Sequence, residues 1–304
     1  MTRTNKAKQA FVFQKDGVDY LKLCVDITLY FVGPPSAHAE GILDFYAQAL
    51  KILKPEIVQY ETGNMSKPKK IKADTFDMLP LWISNPKAKQ DMMQLRLDNS
   101  TGPDSAADRA FQFIYFEDDG AGAVRLVLPA SSVEKSATSL ADLARNLPRK
   151  LKFSSGLGGY SLNWNKNGDF DYDAKNDIYP ISRRHPGIDV PDLDGDLPSI
   201  TKGIKCINWL TFLDDVYVKR LGGLEGVRKA LDEQVVCEPL SHGIVIQAGP
   251  RPEMGDVNQR LTLPLYHSVG KAVAKVRAKE HFPFIPSAKN PEDATDKWLA
   301  RFDS

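Results

Sequence analysis

Between Tyr20 and Phe31 the sequence alternates between apolar and mixed positions, and this run limits the fold more than any other feature. Apolar side chains at every second position give an extended strand one apolar face and one mixed face. The apolar positions are Leu21, Leu23, Val25, Ile27 and Leu29. The segment GPPS at 33–36 then ends the strand, because proline cannot donate to a strand ladder. A sheet is therefore predicted.

Helical spacing begins directly after this strand. Ser36 is a plausible N-cap for an amphipathic helix over 37–53. The apolar positions of this helix are Ile42, Leu43, Tyr46, Ala49, Leu50 and Leu53. A second amphipathic helix is predicted from Leu265 to Val276, and Asn290-Pro291 is a further helix start.

Further strands are predicted in hairpin-like pairs. The segment EDDGAG joins Ala110–Phe116 to Ala123–Leu128, and a turn joins Val235–Pro239 to Gly243–Gln247. Single strands are predicted at Tyr160–Trp164 and Ile204–Phe212. Hairpins combined with helices favour an α+β fold, with mixed, largely antiparallel sheets packed against amphipathic helices.

The predicted domain organisation has three parts. Residues 1–19 form an N-terminal extension, residues 20–285 a single domain, and residues 286–304 a polar tail with a short helix, in which Trp298 and Phe302 share one side. The order strand–helix–strand occurs in both 20–150 and 151–285, which leaves two similar halves as an alternative.

Composition excludes several classes of function. The chain has 304 residues and a formal charge of +1, so it has no overall field that would attract DNA or an anionic membrane. No stretch approaches the roughly 18 apolar residues of a membrane span, and the start, MTRTNKAKQAFVFQKDG, lacks the apolar core of a signal peptide. Cys24, Cys206 and Cys237 lie far apart. A cytoplasmic protein with reduced thiols and no metal or cofactor is expected.

The sequence contains little evidence of a catalytic or metal site. The segment GLGG at 156–159 lacks the spacing of a phosphate-binding loop and is predicted to be a turn at the start of a strand. No two of the five histidines have the spacing of metal ligands. His185, in the segment RRHPG, remains as a candidate acid–base group, and a small hydrolase or nucleotide-handling enzyme using it with nearby aspartates is the alternative function. A helix-end histidine before Pro186 is the favoured interpretation.

Carboxylates accumulate between Asp169 and Asp196. The pattern DxDxD at 169–173 is not a calcium loop, because Ala174 replaces the turn glycine and Pro180 replaces the bidentate glutamate. Either a solvated loop or a docking face for a basic partner fits this segment, and aromatic residues among the charges are typical of interfaces. The residues predicted for the docking face are Asp169, Asp171, Tyr172, Asp173, Asp177, Asp189, Asp192 and Asp194.

A second charged segment, KPKKIK at 67–72, contains no aromatic residue. It fits none of the common nucleic-acid modules and is predicted to be a solvated loop. Direct nucleic-acid binding is therefore not expected.

Five segments of the second half of the chain resemble a known bacterial family. They are FSSGLGGYSLNWN (153–165), RRHPGIDV (183–190), GIKCINWLTFLDD (203–215), RLGGLEGVRKAL (220–231) and GIVIQAGPRPEMGDVNQRLTLPLY (243–266). In order and spacing they resemble the TsiV-like type VI immunity family. The resemblance extends over roughly 20–277 and is strongest after Phe153.

The resemblance implies a function. Members of this family are encoded beside toxic effectors of type VI secretion, and the family is tied to effectors with a VRR-type nuclease domain. The chain is thus expected to be an immunity protein rather than an enzyme, which binds the effector and occludes its active site or substrate groove. The shared segments are expected to be scaffold, with the partner-specific surface outside them. An acidic, aromatic-containing surface over 169–196 could then imitate the phosphate backbone of DNA.

Overall fold

The computed structural model describes residues 11–85, 92–284 and 290–303. Residues 1–10 of the predicted extension, and residues 286–289 and 304 of the predicted tail, lie outside this part of the chain. The strands found there are β1 (Val12–Lys15), β2 (Val18–Val32), β3 (Gln59–Thr62), β4 (Lys69–Lys70), β5 (Met92–Asp98), β6 (Ala110–Phe116), β7 (Ala121–Pro129), β8 (Ser155–Trp164), β9 (Leu210–Leu213), β10 (Val236–Leu240) and β11 (Gly243–Gln247). The α-helices are α1 (Ala39–Leu53), α2 (Met78–Ser84), α3 (Ser131–Asn146), α4 (Asp171–Arg184), α5 (Leu193–Ile200), α6 (Asp215–Arg220), α7 (Gly223–Ala230), α8 (Pro264–Val273) and α9 (Pro291–Leu299).

Strand β2 lies in the middle of a single 11-stranded sheet. One edge of β2 pairs with β8 and the other with β7 and β1. The sheet order is β10-β11-β9-β8-β2-β7-β6-β5-β3-β4, and neighbouring strands are antiparallel. This topology confirms the predicted α+β class, the strand over 20–31 and both hairpins. It does not establish two similar halves.

The apolar face of β2 packs into the main hydrophobic core. Helix α1 lies over β6 and β7 on this side, where the ring of Tyr46 lies 4.8 Å from that of Phe111 and Phe45 lies 6.3 Å from it. Burying each large apolar side chain contributes about 1.5–3 kcal/mol. The alternation in the sequence is therefore explained by burial of one whole face under helices.

The mixed face of β2 is also buried, which the alternation did not indicate. At one end Tyr30 packs against Leu197 and Ile200 of α5. Further along, Asp26 accepts a hydrogen bond from Arg125 Nε at 2.6 Å, and both residues are at most 3% exposed. The remaining guanidinium hydrogens reach Gln112, Ser161, Leu162 and Asn163. A buried ion pair surrounded by neutral acceptors thus occupies the centre of the sheet.

Three local predictions are wrong. Ser36 does not cap α1, because a 3-10 turn at Pro35–His38 precedes that helix. The GLGG segment lies inside β8, where a Cβ on Gly156 would lie 2.6 Å from the carbonyl oxygen of Thr28. The strand predicted over 204–212 begins later and ends one residue beyond the prediction, at Leu210–Leu213. Before it, Asn208 Oδ1 accepts from the Trp209 amide at 2.7 Å and thereby replaces a ladder bond.

The end of the chain packs onto the domain. Asn290 caps α9 by accepting from the Asp293 amide at 3.2 Å, as its sequence predicted. Trp298 and Phe302 are 5% and 2% exposed, and the Phe302 ring lies 5.4 Å from that of Tyr266. These aromatic side chains therefore pack into the core.

Replacing Arg125 with methionine should lower the free energy of unfolding by about 3–5 kcal/mol, because the buried Asp26 carboxylate loses its partner. Chemical denaturation measures this change. The double variant Asp26→Leu/Arg125→Met is the matched control and should recover most of the loss, because it leaves no buried charge. A double variant no more stable than Arg125→Met would contradict this account.

Candidate partner-binding surface

The predicted acidic residues gather around the beginnings of α4 and α5. Helix α4 begins after a turn at the end of β8, and Asp171 and Asp173 lie in its first turn. The positive end of the helix dipole stabilises carboxylates at this position. Asp192 occupies the N-cap position of α5. Lys166, between β8 and α4, forms an ion pair with Asp192, so the two helix starts border one surface.

We define the acidic face as the exposed or half-buried members of this group. They are Asp169, Asp171, Tyr172, Asp173, Asp177, Asp192 and Asp194. Tyr172 is 75% exposed, more than any other large hydrophobic side chain in the described residues.

Several carboxylates of the acidic face already have partners within the chain. Asp173 pairs with Lys15 at 2.8 Å, and Asp171 pairs with Lys175 at 2.5 Å. Asp177 accepts a hydrogen bond from the Tyr20 hydroxyl at 2.5 Å. The contacts of Asp173 and Asp177 attach α4 to β1 and β2, whereas the Asp171–Lys175 pair lies within the helix. The two ion pairs reduce the negative charge that the face presents to solvent.

Asp189 does not belong to this surface, although the sequence placed it there. It is 4% exposed and lies 3.6 Å from Nζ of Lys205, which also approaches Asp196 at 3.1 Å. Burial lowers the pKa of Lys205, but the two carboxylates outweigh burial and raise it. Lys205 is therefore charged inside the protein, and Asp189 has the structural role of neutralising it.

A small polar recess opens beside the acidic face, on the mixed side of the sheet. Its volume is about 120 Å³, and its lining includes Gln94, Arg96, Gln112, Asn165, Lys166 and Asp194. Arg96 Nε lies 2.7 Å from an Asp98 oxygen, and Nη1 donates to Asn165 at 3.4 Å. Amide and guanidinium groups of this kind suit water or a polar side chain, so the recess adds hydrogen-bonding capacity to the face.

The side chain of His185 is buried and packed, as expected for a histidine with a structural role. It is 7% exposed, its Nδ1 lies 2.7 Å from the Gly255 carbonyl oxygen, and its ring meets that of Phe11 edge-on. Of the predicted acidic residues, Asp189 is the nearest to His185 along the chain, and it forms an ion pair with Lys205. In the described ranges no group of three or more His, Cys, Asp or Glu side chains is arranged to hold a metal ion.

The basic segment 67–72 lies at the far edge of the sheet. Its residues Lys69–Lys70 form β4, which pairs with β3, and both lysines are exposed. The neighbouring strand β3 contacts the chain just before the acidic face, because Asn167 Nδ2 donates to the Glu61 carboxylate at 3.0 Å.

The model of the TsiV family, described as type VI immunity for VRR-NUC, matches residues 37–302. A solved structure of a Pseudomonas aeruginosa T6SS protein is similar with a TM-score of 0.82 and 19% identity, and the similarity covers 99% of this chain and 90% of that chain. At this identity the likeness shows a shared fold. No curated protein matches the sequence significantly.

Among the helices between residues 11 and 303 that can be described, none combines the length and apolarity needed to cross a bilayer.

Replacing Asp189 with alanine should lower the free energy of unfolding by about 3 kcal/mol, because Lys205 loses one of its two buried carboxylates. Asp169→Ala is the matched control: its side chain is exposed, so its effect should stay within about 0.5 kcal/mol. Urea denaturation of both variants checks the assignment. Equal stabilities for the two variants would argue against a structural role for Asp189.

Proposed function

The chain belongs to the TsiV family of type VI immunity proteins for VRR-NUC effectors, and from this premise we propose that its acidic face covers the substrate groove or active site of its effector. Membership in an immunity family implies that the chain is not an enzyme and that its cognate partner is a VRR-NUC type VI effector. The contribution of the acidic face, and the occlusion that it would produce, are the proposal.

The observation that carries the proposal is the exposure of Tyr172 among carboxylates. A tyrosine that is 75% exposed leaves a large apolar ring in water, and tyrosine is one of the side chains that most often anchor protein interfaces. Its neighbours Asp171 and Asp173 are held in place by Lys175 and Lys15. The ring is therefore presented on a surface whose shape is already fixed before a partner arrives.

Charge supports the same assignment. A groove that binds DNA must present cations to phosphates, and carboxylates at matching positions attract such a groove and orient it. Asp169 and Asp194 are exposed and have no Lys or Arg nitrogen within 4.0 Å among the described residues, so no close ion pair within the chain competes with a partner for them. The other carboxylates are partly neutralised, so Tyr172 supplies the anchor and the free charges supply orientation.

The compartment follows from the partner's chemistry. A VRR-type nuclease damages DNA, so an inhibitor protects the cell only where DNA and nuclease meet. We therefore place neutralisation in the cytoplasm.

Replacing Tyr172 with alanine should weaken binding to a catalytically inactive effector by about thirtyfold, which corresponds to the roughly 2 kcal/mol of a central interface anchor. The variant Asp169→Lys/Asp194→Lys should mainly slow association at low salt. Calorimetry and stopped-flow mixing measure these effects. Leu81→Ala, which alters a side chain that is 64% exposed on α2, is the control and should bind normally. Full affinity in both the Tyr172 and the charge variant would remove the acidic face from the interface.

Occlusion makes a separate prediction about DNA. If the immunity protein covers the substrate groove, a stoichiometric amount should release a labelled duplex from the inactive effector, because both ligands need the same surface. Fluorescence anisotropy follows the release. Formation of a stable complex containing DNA, effector and immunity protein would show that inhibition does not work by occlusion, while leaving the immunity function intact.

A further inference from the structure

A second exposed surface lies at the other end of α4, built around a tight turn that we call the ridge, residues 257–261. Asp256 and Leu261 exchange two backbone hydrogen bonds, at 3.1 and 3.0 Å, which close the turn. The Asp256 carboxylate accepts from the amides of Asn258 and Gln259. The ridge thus has a defined conformation of its own.

The ridge is also fixed to α4. Arg184 donates from Nη2 to Asp256 at 2.8 Å and from Nε at 3.2 Å. These hydrogen bonds lower the pKa of Asp256 to about 2, so the pair is charged at any physiological pH. Nearby, the Gly187 amide donates to the Met254 carbonyl at 2.9 Å. A surface held in this way loses little entropy when it binds.

Two aliphatic side chains project from the ridge into solvent. Val257 and Leu261 are each 58% exposed. Beside them runs a groove of about 1150 Å³ between the end of α4, the ridge and α9. Its apolar lining includes Tyr179, Leu261, Trp298 and Phe302. A groove of this size can accept several side chains of a partner.

The same groove carries positive charge that the chain does not neutralise. Arg183 and Arg260 line it and are exposed, and neither has a carboxylate oxygen within 4.0 Å among the described residues. Arg301 also lines it, but its Nε and Nη1 already donate to the carbonyl oxygens of Pro186 and Trp298. The carboxylate that lines it, Asp293, is paired with Lys297 at 2.7 Å. We call this site the arginine groove. Arginine is enriched at interface anchors and binds carboxylates through two parallel hydrogen bonds.

Helix α4 joins the arginine groove to the acidic face. Tyr172, Asn176, Tyr179 and Arg183 are spaced by four, three and four residues, so they form one stripe along the helix. The stripe runs about 16 Å from Tyr172 to Arg183, from the helical rise of 1.5 Å per residue. A protein interface of ordinary size covers such a distance, so one partner can contact both ends.

We propose that the arginine groove binds an acidic segment with apolar side chains, and that this segment belongs to the same VRR-NUC effector that the acidic face contacts. The inference rests on the proposed function and extends it. Opposite charges at the two ends of α4 would admit the effector in one orientation only, since the reversed orientation places like charges together. The mixture of apolar lining and arginines favours a peptide over a bare phosphate backbone.

The test is the double variant Arg183→Glu/Arg260→Glu, in the full chain, titrated against the inactive effector. Both side chains are exposed, so the thermal unfolding midpoint should not change. Affinity should fall at least tenfold. Lys69→Glu/Lys70→Glu is the matched control, with the same number and sign of charge changes on exposed residues at the far edge of the sheet, and it should bind within twofold of the unaltered protein.

A photo-crosslinker introduced at Leu261 then identifies the occupant. Crosslinks to an effector segment rich in Asp and Glu support the proposal. Normal affinity of the arginine double variant, together with weak binding of Tyr172→Ala, would overturn the groove assignment and leave the acidic face in place. Weak binding of the arginine double variant, together with normal affinity of Tyr172→Ala, would support the groove and remove the acidic face from the interface. Normal effector binding with loss of affinity for a short DNA duplex would overturn the proposal in favour of a nucleic-acid ligand.

Discussion

The ion pair between Asp26 and Arg125 is the interaction around which the sheet is organised. It joins the central strand β2 to its neighbour β7. The face of the sheet on which it lies packs against α5 and lines the polar recess. A buried ion pair gains little over an apolar pair of the same shape, but it tolerates no loss of either partner. Its hydrogen bonds to Gln112, Ser161 and Asn163 join four strands, so their register is specified by polar contacts as well as by the apolar core.

The central strand also positions the helix that faces the partner. Strand β8 pairs with β2 over Leu21–Tyr30 and is followed, after one turn, by α4. Tyr20 and Lys15, from β2 and β1, hold α4 through Asp177 and Asp173. Carboxylates of the acidic face therefore have two effects: they attach the helix to the sheet, and they give its beginning a negative surface. This arrangement explains how an acidic segment can be both ordered and available to a partner.

Local patterns in the sequence predicted most strands and helices, since alternation and helical spacing are caused by burial of one face. They could not predict contacts between distant segments. Asp189 was predicted to be exposed like its acidic neighbours, because its ion-pair partner Lys205 belongs to a different segment of the chain. The strand over 204–212 was predicted too long because side-chain bonds such as that of Asn208 replace backbone pairing there. The arginine groove was missed for the same reason: α4, the ridge and α9 meet only in three dimensions.

The segment 243–266 shows why a motif can be both scaffold and surface. The sequence suggested that segments shared by the family hold the fold while the partner surface lies elsewhere. In the structure, Asp256 is buried and bonded to Arg184, whereas its neighbours Val257 and Arg260 are exposed. A turn whose base is fixed by an ion pair leaves the side chains at its tip free to differ without loss of stability. Such a ridge can keep its backbone and change its contacts, which is what an immunity protein needs to follow one effector and reject others.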